Sequence, residues 1–299
     1  MKIAITGGTG FVGKALTNFL LNEGHEIYIL TRHQQKSTQK NLTFIPWLGN
    51  HPLPIKQLDG IDAIVNLAGQ TINARWTNSM KEKIISSRMK ATETVINLIQ
   101  SVSKKPKVFI NASAIGYYGT SLHQTFDETD ITPGHDFLAN VVVEWEQVAK
   151  KAENLNVRTV LSRFGVILHK SEGALPKMVL PYQLLIGGPI GSGKQWLSWI
   201  HLDDVVRMID FAIQNECISG PMNVTSPNPK QNNDFGKELA KVLHRPHYLP
   251  VPSFMLRLLL GEMSMLVLEG QRVLPKIALE NGFTFTYPEL KDALEDIFK

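Results

Sequence analysis

Short apolar, β-branched runs alternate with longer amphipathic stretches through the first two-thirds of the chain. The pattern predicts strands at KIAIT (2–6), EIYILT (26–31), AIVNLA (63–68), KVFINAS (107–113) and VRTVLSRF (157–164), with helices near 12–23, 78–102 and 137–153. Continuously apolar strands are buried on both faces, and their alternation with helices predicts a parallel sheet covered by helices. Gly and Pro break 50–54 and 187–193 into loops. The pattern changes after about residue 168, where Gly173, Pro176, Pro181, Gly187, Gly188 and Pro189 interrupt it. Helical spacing resumes at 204–214, then come a strand at 222–226 and a helix at 233–243. The tail from Pro250 reads as a Leu/Met-rich helix, a second helix around 269–281 and a final FTFTYPELKDALEDIF segment. The expected organisation is a nucleotide-binding domain over 1–168 with returning elements at about 200–226, interleaved with a smaller C-terminal substrate lobe over 169–199 and 227–299.

Composition narrows the class. With 43% hydrophobic and 19% charged residues in 299, the chain is globular in type and long enough to bury a core without disulfides. Cys217 is the single cysteine, so no intramolecular disulfide forms, which suits a reducing compartment. Met1 and Lys2 run straight into an apolar strand, so no signal peptide is expected. The most membrane-like stretch, 253–269, is interrupted by Arg257 and Glu262, so no spanning helix is expected and the expected location is cytoplasmic. Its apolar face (Leu256, Leu259, Leu260, Met263, Leu266, Val267) is expected to pack on the core lobe or on a subunit partner, which leaves a homodimer open. Net charge is +4, from 31 Lys+Arg against 27 Asp+Glu. Lys81, Lys83, Arg88 and Lys90 recur at helical spacings, as on a solvated face; no zinc spacing or basic–aromatic repeat accompanies them, so nucleic acid is not an expected partner. No His/Cys/Asp spacing suggests a metal.

The strongest motif is TGGTGFVG at 6–13. Gly8, Gly10 and Gly13 satisfy G-x-G-x-x-G, and Gly7, Gly10 and Gly13 the variant G-x-x-G-x-x-G. Such glycines let the backbone turn tightly, approach a pyrophosphate and pack helix on strand, while the helix start at Gly10, Phe11 and Val12 offers free N–H groups to the phosphate. The motif follows a strand, opens a helix and meets a second strand, which is the context that gives it meaning. At the end of that second strand an acidic residue would read the ribose 2′-OH of NAD, and a cation the 2′-phosphate of NADP. Thr31-Arg32 stands there with no acid nearby, so NADP(H) is the expected cofactor, held by Gly7, Gly8, Thr9, Gly10, Phe11, Val12, Gly13, Thr31 and Arg32. The predicted fold class is a Rossmann-type, doubly wound parallel α/β sheet with a smaller C-terminal lobe.

Four motifs together, TGGTGFVG, NLAG (66–69), SAIGYYG (113–119) and WIHLDDVV (199–206), resemble the extended short-chain dehydrogenase/reductase superfamily in its NAD-dependent epimerase/dehydratase-like branch. The tail, PVPSFMLRLLLGE through GQRVLPKIALENGFTFTYPEL at about 248–297, is similar to the small C-terminal domain of unknown function in an atypical subgroup, the epimerase family proteins. The resemblance implies that Leu67, Ala68 and Gly69 line the adenosine-ribose side of the cleft. It also places Arg88 as a cofactor contact where ordinary members carry asparagine (N-x-x-G-T reads RMKAT here). Asp203 and Asp204 are expected to cap the following helix.

Departures from the family matter as much. Its enzymes use a Ser/Thr, a Tyr acid/base and a Lys four residues later. The helix where Y-x-x-x-K belongs reads HDFLANVVVEWE, so the pair becomes Asp136/Asn140 or Phe137/Val141, and Ala114 takes the usual Ser/Thr position. The literal Y-x-x-x-K at Tyr287 and Lys291 contains Pro288 and opens a C-terminal helix, so it belongs elsewhere. GPIGSGKQ (188–195) mimics a phosphate loop but has Gln195 where Ser/Thr should bind magnesium. Leu197 occupies the place of the arginine that many nucleotide-sugar enzymes use, which argues against such a substrate. Tyr117, Tyr118 and Ser113 are left as candidate catalytic proton donors, with Lys194, Trp196, Trp199 and His201 as candidate pocket residues. An unassisted phenol, with a pKa near ~10, would donate rather than accept, which favours carbonyl reduction. Two functions stay open: an NADP(H)-dependent oxidoreductase or epimerase-like enzyme for a small substrate, and a cofactor-binding or redox-sensing protein without turnover.

Overall fold

A computed structural model describes residues 1–33, 35–49 and 51–299. Asn50, part of the loop expected at 50–54, lies outside the described residues; the rest of that stretch is irregular. The first half runs β1 (Lys2–Thr6), α1 (Phe11–Asn22), β2 (Glu26–Thr31), β3 (Leu42–Pro46), α2 (Ile55–Leu58), β4 (Ala63–Asn66), α3 (Asn78–Ser101), β5 (Val108–Ala114), β6 (Thr125–Phe126) and α4 (Phe137–Ala149). It continues as β7 (Arg158–Phe164), β8 (Val166–Leu168), α5 (Leu175–Gln183), β9 (Trp196–Leu197), β10 (Trp199–His201), α6 (Leu202–Gln214) and β11 (Gly220–Val224). The remainder comprises β12 (Lys230–Gln231), α7 (Asn232–Val242), α8 (Ser253–Leu260), α9 (Met265–Leu268), β13 (Arg272–Val273), α10 (Lys276–Glu280) and α11 (Leu290–Phe298).

Seven strands form one parallel sheet in the order β11-β7-β5-β4-β1-β2-β3. Chain order reverses between β1 and β4, which opens a crevice at their C-terminal ends. Alternate residues feed the two faces. Ile3, Ile5, Ile27 and Ile29 pack against Leu16 and Leu20 of α1 and Val205 and Ile209 of α6. Ala4, Leu30, Ile64 and Phe109 pack against Val95 and Ile99 of α3. The edge strand β3 is absent from the sequence reading: LTFIP is half-exposed and ends in a proline, which edge positions tolerate. A third core joins Leu168, Leu175, Trp199, Phe235, Leu239, Leu290 and Leu294.

The tail corrects two expectations. Residues 269–275 are not helical: β13 pairs in parallel with β6, and helix resumes at α10. The cap of α6 is His201, whose Nδ1 accepts the Asp203 N–H at 3.1 Å. Asp204 is instead fully buried and accepts the N–H groups of Thr286 (2.8 Å) and Tyr287 (2.9 Å), fastening the tail to α6. Among the described residues no helix is long and apolar enough to cross a membrane.

Candidate functional site

The C-terminal end of β1 is fixed by side chains from its neighbours. Buried Thr6 donates to Asn66 Oδ1 at 2.5 Å and accepts the Ala68 N–H at 3.2 Å. Asn66 in turn donates to Asn111 Oδ1 (2.6 Å) and Thr92 Oγ1 (3.0 Å), and Trp145 Nε1 donates to the same Thr92 oxygen at 2.9 Å. The strand ends beneath the crevice are therefore locked by a fully buried polar network. Thr6, Asn66 and Thr92 each lay in a motif, but nothing in the sequence pattern joined them to Asn111 or Trp145.

Above this network the glycine turn takes the shape its sequence requires. Gly7 has a φ of +67°, and its carbonyl accepts the Gly10 N–H at 2.9 Å. A Cβ on Gly13 would stand 2.2 Å from the Gly7 oxygen, so α1 can lie this close to the turn only without a side chain there. Gly10 caps α1 with no side-chain hydrogen bond, and Thr9 and Gly10 are exposed. Gly8 and Gly13 are buried, whereas Phe11 and Val12 are half-buried. The result is an open helix N-terminus, with no side chain among the described residues bonded to its first-turn N–H groups, a fit for an anionic phosphate. At the end of β2, Thr31 is buried and accepts the His33 N–H at 3.4 Å. Arg32 beside it is exposed, and no carboxylate among the described residues pairs with it. Leu67 and Gly69 follow β4, with the Leu67 N–H on the Thr6 carbonyl at 3.1 Å.

Arg88 is not on the solvated face that its helical spacing suggested. Its guanidinium turns inward, donates to the Gln70 and Ile84 carbonyls at 3.0 Å each, and lies 5.1 Å from the Trp145 ring. Burial pulls its pKa down to about 10, so it stays charged at neutral pH. No carboxylate among the described residues forms an ion pair with it. Arg88 borders a cavity of about 340 Å³ at the C-terminal ends of β5 and β7. Leu138, Val141, Val142 and Trp145 of α4, with Phe164, Trp196 and Leu197, make its walls apolar, and Met265, Leu266, Glu269 and Gln271 of the tail complete it. The face of α4 that carries the Tyr/Lys pair in ordinary family enzymes thus presents leucine, valine and tryptophan.

The three candidate proton donors are placed differently from one another. Ser113 lines the cavity and donates to Glu146 Oε1 at 2.6 Å. Glu146, buried on α4, is gripped by Arg163 through two bonds of 2.8 Å. Burial opposes the charge on Arg163, but the bonds and charge of Glu146 outweigh it and hold the guanidinium above its ordinary pKa. The Tyr117 ring covers that guanidinium at 3.5 Å, while its hydroxyl, on the outside, donates to the Ile131 carbonyl at 2.7 Å. Tyr118 is buried and donates to Asn223 Oδ1 at 2.9 Å, and burial pushes its pKa up to about 12. Neither tyrosine lines the cavity.

Other candidates separate as well. Trp196 reaches the cavity, whereas Trp199 is fully buried in the third core, His201 caps α6 and Lys194 is exposed. Tyr287 packs its ring 4.1 Å from His201, and Lys291 pairs with Glu295 on the surface, so that Y-x-x-x-K serves the tail. The second glycine-rich stretch leads into β9 rather than a helix and therefore lacks the N-terminus a phosphate loop needs. His201, Asp203 and Asp296 do gather with ligand-type atoms within 4.8 Å, a trio hidden by their distance along the chain. Its His201 Nδ1 is already an acceptor in the α6 cap.

Known proteins match this chain from end to end. The profile of the NAD dependent epimerase/dehydratase family matches residues 3–224, and that of a domain of unknown function, DUF1731, residues 251–297. The epimerase family protein YfhF of Bacillus subtilis is 51% identical over 297 residues, covering 99% of this chain and 98% of its own. A Staphylococcus haemolyticus relative, epimerase family protein SH2119, is 47% identical over 296 residues, covering 99% and 98%. Among solved structures, human epimerase family protein SDR39U1, crystallised with NADPH, superposes with a TM-score of 0.88 at 32% identity, covering 100% of this chain and 99% of that one. A nucleoside-diphosphate sugar epimerase from Corynebacterium glutamicum gives 0.79 at 32% identity, covering 99% of this chain and 58% of that one. Glycine turn, parallel sheet and C-terminal tail all agree with these matches: the chain belongs to the NAD-dependent epimerase/dehydratase family, among the epimerase family proteins that carry the DUF1731 tail.

Proposed function

We propose that the protein is an NADP(H)-dependent oxidoreductase acting on a small, largely apolar carbonyl compound or the corresponding alcohol. The observation that carries this reading is one sheet edge holding three things: an open helix N-terminus at Gly10, a free cation at Arg32 and an apolar cavity beside Arg88. NADPH in the human relative supports the choice of cofactor. When bound, the cofactor would supply or take up a hydride. The residues that would hold it are Gly7 through Gly13 and Thr31 with Arg32 on the phosphates, Leu67, Ala68 and Gly69 on the adenosine side, and Arg88 as a counter-charge. Ser113 faces the cavity with its proton committed to Glu146, so its oxygen is available as an acceptor that orients a ligand N–H or O–H. Leu197 in the wall, where nucleotide-sugar enzymes place an arginine, supports a substrate without a pyrophosphate. The lobe built from 169–199 and 227–299 would be the part that selects it.

Titration of NADPH and NADH against wild type and Arg32→Ala tests the cofactor assignment. A charge-assisted contact of about 1.5–3 kcal/mol predicts a preference for NADPH of roughly 10- to 150-fold that the variant loses. An unchanged preference removes Arg32 from this role. NADPH consumption should then appear over a set of small apolar ketones and aldehydes. A second reading, a cofactor-binding protein without turnover, is favoured by one observation: the protons of Ser113, Tyr117 and Tyr118 are all committed within the protein. Tight NADPH binding with no consumption across the set would establish that second reading.

A further inference from the structure

The side chains around the cavity beside Arg88 offer a ligand few protons. Ser113, Thr120, Trp145, Trp196 and Ser198 line it, each with a single O–H or N–H, and each of those protons is spent inside the protein. Ser113 donates to Glu146 Oε1 at 2.6 Å, Thr120 to Glu269 Oε2 at 3.0 Å and Ser198 to the Gln271 carbonyl at 2.8 Å. The indoles of Trp145 and Trp196 donate to Thr92 Oγ1 (2.9 Å) and to the Leu122 carbonyl (3.0 Å). Among the lining side chains that leaves N–H groups only on Arg88, the proposed counter-charge to the cofactor, and on the Gln271 amide, which is tied to the Ile115 carbonyl at 2.9 Å. Lone pairs are plentiful by contrast. Asp136 accepts backbone N–H groups through Oδ1 alone and Glu269 accepts Thr120 through Oε2 alone. The Ser113 oxygen receives no bond from any described residue.

Ser113 is the most firmly set of these groups. Arg163 donates to both oxygens of Glu146 at 2.8 Å each, and the Tyr117 ring covers the guanidinium at 3.5 Å. A carboxylate has no proton to give, so the short bond between Ser113 and Glu146 runs one way, from the hydroxyl. The hydroxyl could turn toward a ligand only by giving up a charge-assisted bond in the interior. We propose that the ligand group seated at Ser113 is a hydroxyl, so that the site holds the alcohol of an alcohol/ketone pair in preference to the ketone, with Glu146 the positioning residue that sets this preference. The proposal rests on the cavity being the substrate site of the oxidoreductase reading. An alcohol brings the proton that the Ser113 oxygen can accept. A ketone sets its own lone pairs against that oxygen and leaves a buried acceptor unpaired, which lowers its affinity by roughly 5- to 150-fold.

The test is calorimetric titration of cumyl alcohol and propiophenone, which match in heavy atoms, with NADP⁺ present and absent. Neither exchanges hydride with NADP⁺: the first has no hydrogen on its carbinol carbon and the second is already a ketone. Wild type should bind the alcohol more tightly by the factor above, and Ser113→Ala should bring the two affinities together. So should Glu146→Met combined with Arg163→Met, which frees the serine proton while exchanging a buried ion pair for apolar side chains, a replacement that is often neutral for stability. A merely structural Glu146 would move the melting temperature and leave the affinity ratio alone. If the double variant does not fold, the wild-type ratio and Ser113→Ala still decide. Equal affinities in wild type, tighter binding of the ketone, binding of neither probe, or a ratio that survives Ser113→Ala overturns the proposal. A ratio that survives in the folded double variant overturns the part given to Glu146. Failure to bind NADP⁺ would count against the oxidoreductase reading, whereas the ratio measured without NADP⁺ would still decide this proposal.

Discussion

Arg88 and Glu146 are inward-turned charges with opposite prospects under mutation. Arg88 has carbonyl partners and an aromatic ring but no acid, so its charge is poorly compensated inside the protein. Replacing it with Met should leave thermal stability nearly unchanged or slightly raised, while NADPH affinity falls by roughly 10- to 150-fold, the scale of a charge-assisted bond. Arg88→Lys should recover part of that affinity. Glu146 is the reverse case. Its removal leaves Arg163 buried at 3% exposure with no anion, and Arg163 Nη1 already lacks a partner. Glu146→Ala should cost about 3–5 kcal/mol in denaturant unfolding, the range for breaking a buried pair. A loss below about 1 kcal/mol would mean that the pair is not buried as described. Neither role is visible from residue type alone, since Arg88 sits at a spacing suited to a solvated helix face.

At the scale of elements, the tail is held by carboxylates acting on backbone rather than by a linker. Asp204 accepts from Thr286 and Tyr287 and pairs with Arg207 at 3.0 Å. Glu128 does the same at the other side, accepting the N–H groups of Asn223 (2.8 Å) and Lys276 (3.0 Å). Asp204→Ala would strand two N–H groups near the start of α11, at about 1–3 kcal/mol for each unsatisfied group. The expected outcome is selective release of the C-terminal segment: limited proteolysis should cut near 282–289 in the variant and spare wild type. Equal protection in both would show that the packing of Leu290 and Leu294 suffices without the carboxylate.

For the whole molecule, the sheet and the tail share one core. Ala278, Phe283 and Phe285 belong to the same buried cluster as Ile3, Ile5 and Met222. Deleting residues from Pro250 onward would therefore open both this cluster and the third core, besides removing one wall of the cavity. Such a fragment should be insoluble on expression. A well-folded, soluble fragment with full NADPH affinity would show that the sheet closes its own core.

The sequence by itself determined the parallel sheet, because strands buried on both faces read as unbroken apolar runs and need no knowledge of their neighbours. It also determined the glycine turn, where backbone geometry dictates residue type locally, and the lack of tyrosine and lysine on α4. It misread what depends on partners far along the chain. β3 is a short, half-exposed run that ends in proline, and only its pairing with β2 makes it a strand. Residues 269–275 look helical until β6 offers them an edge. Which hydroxyl faces the cavity was likewise decided in three dimensions: Ser113 does so and Tyr118 does not, because Asn223 on a distant strand captures the phenol and burial keeps it protonated. The cavity itself draws its walls from Ile72 to Gln271, and no local pattern records an enclosure made by segments that meet only after the chain has folded.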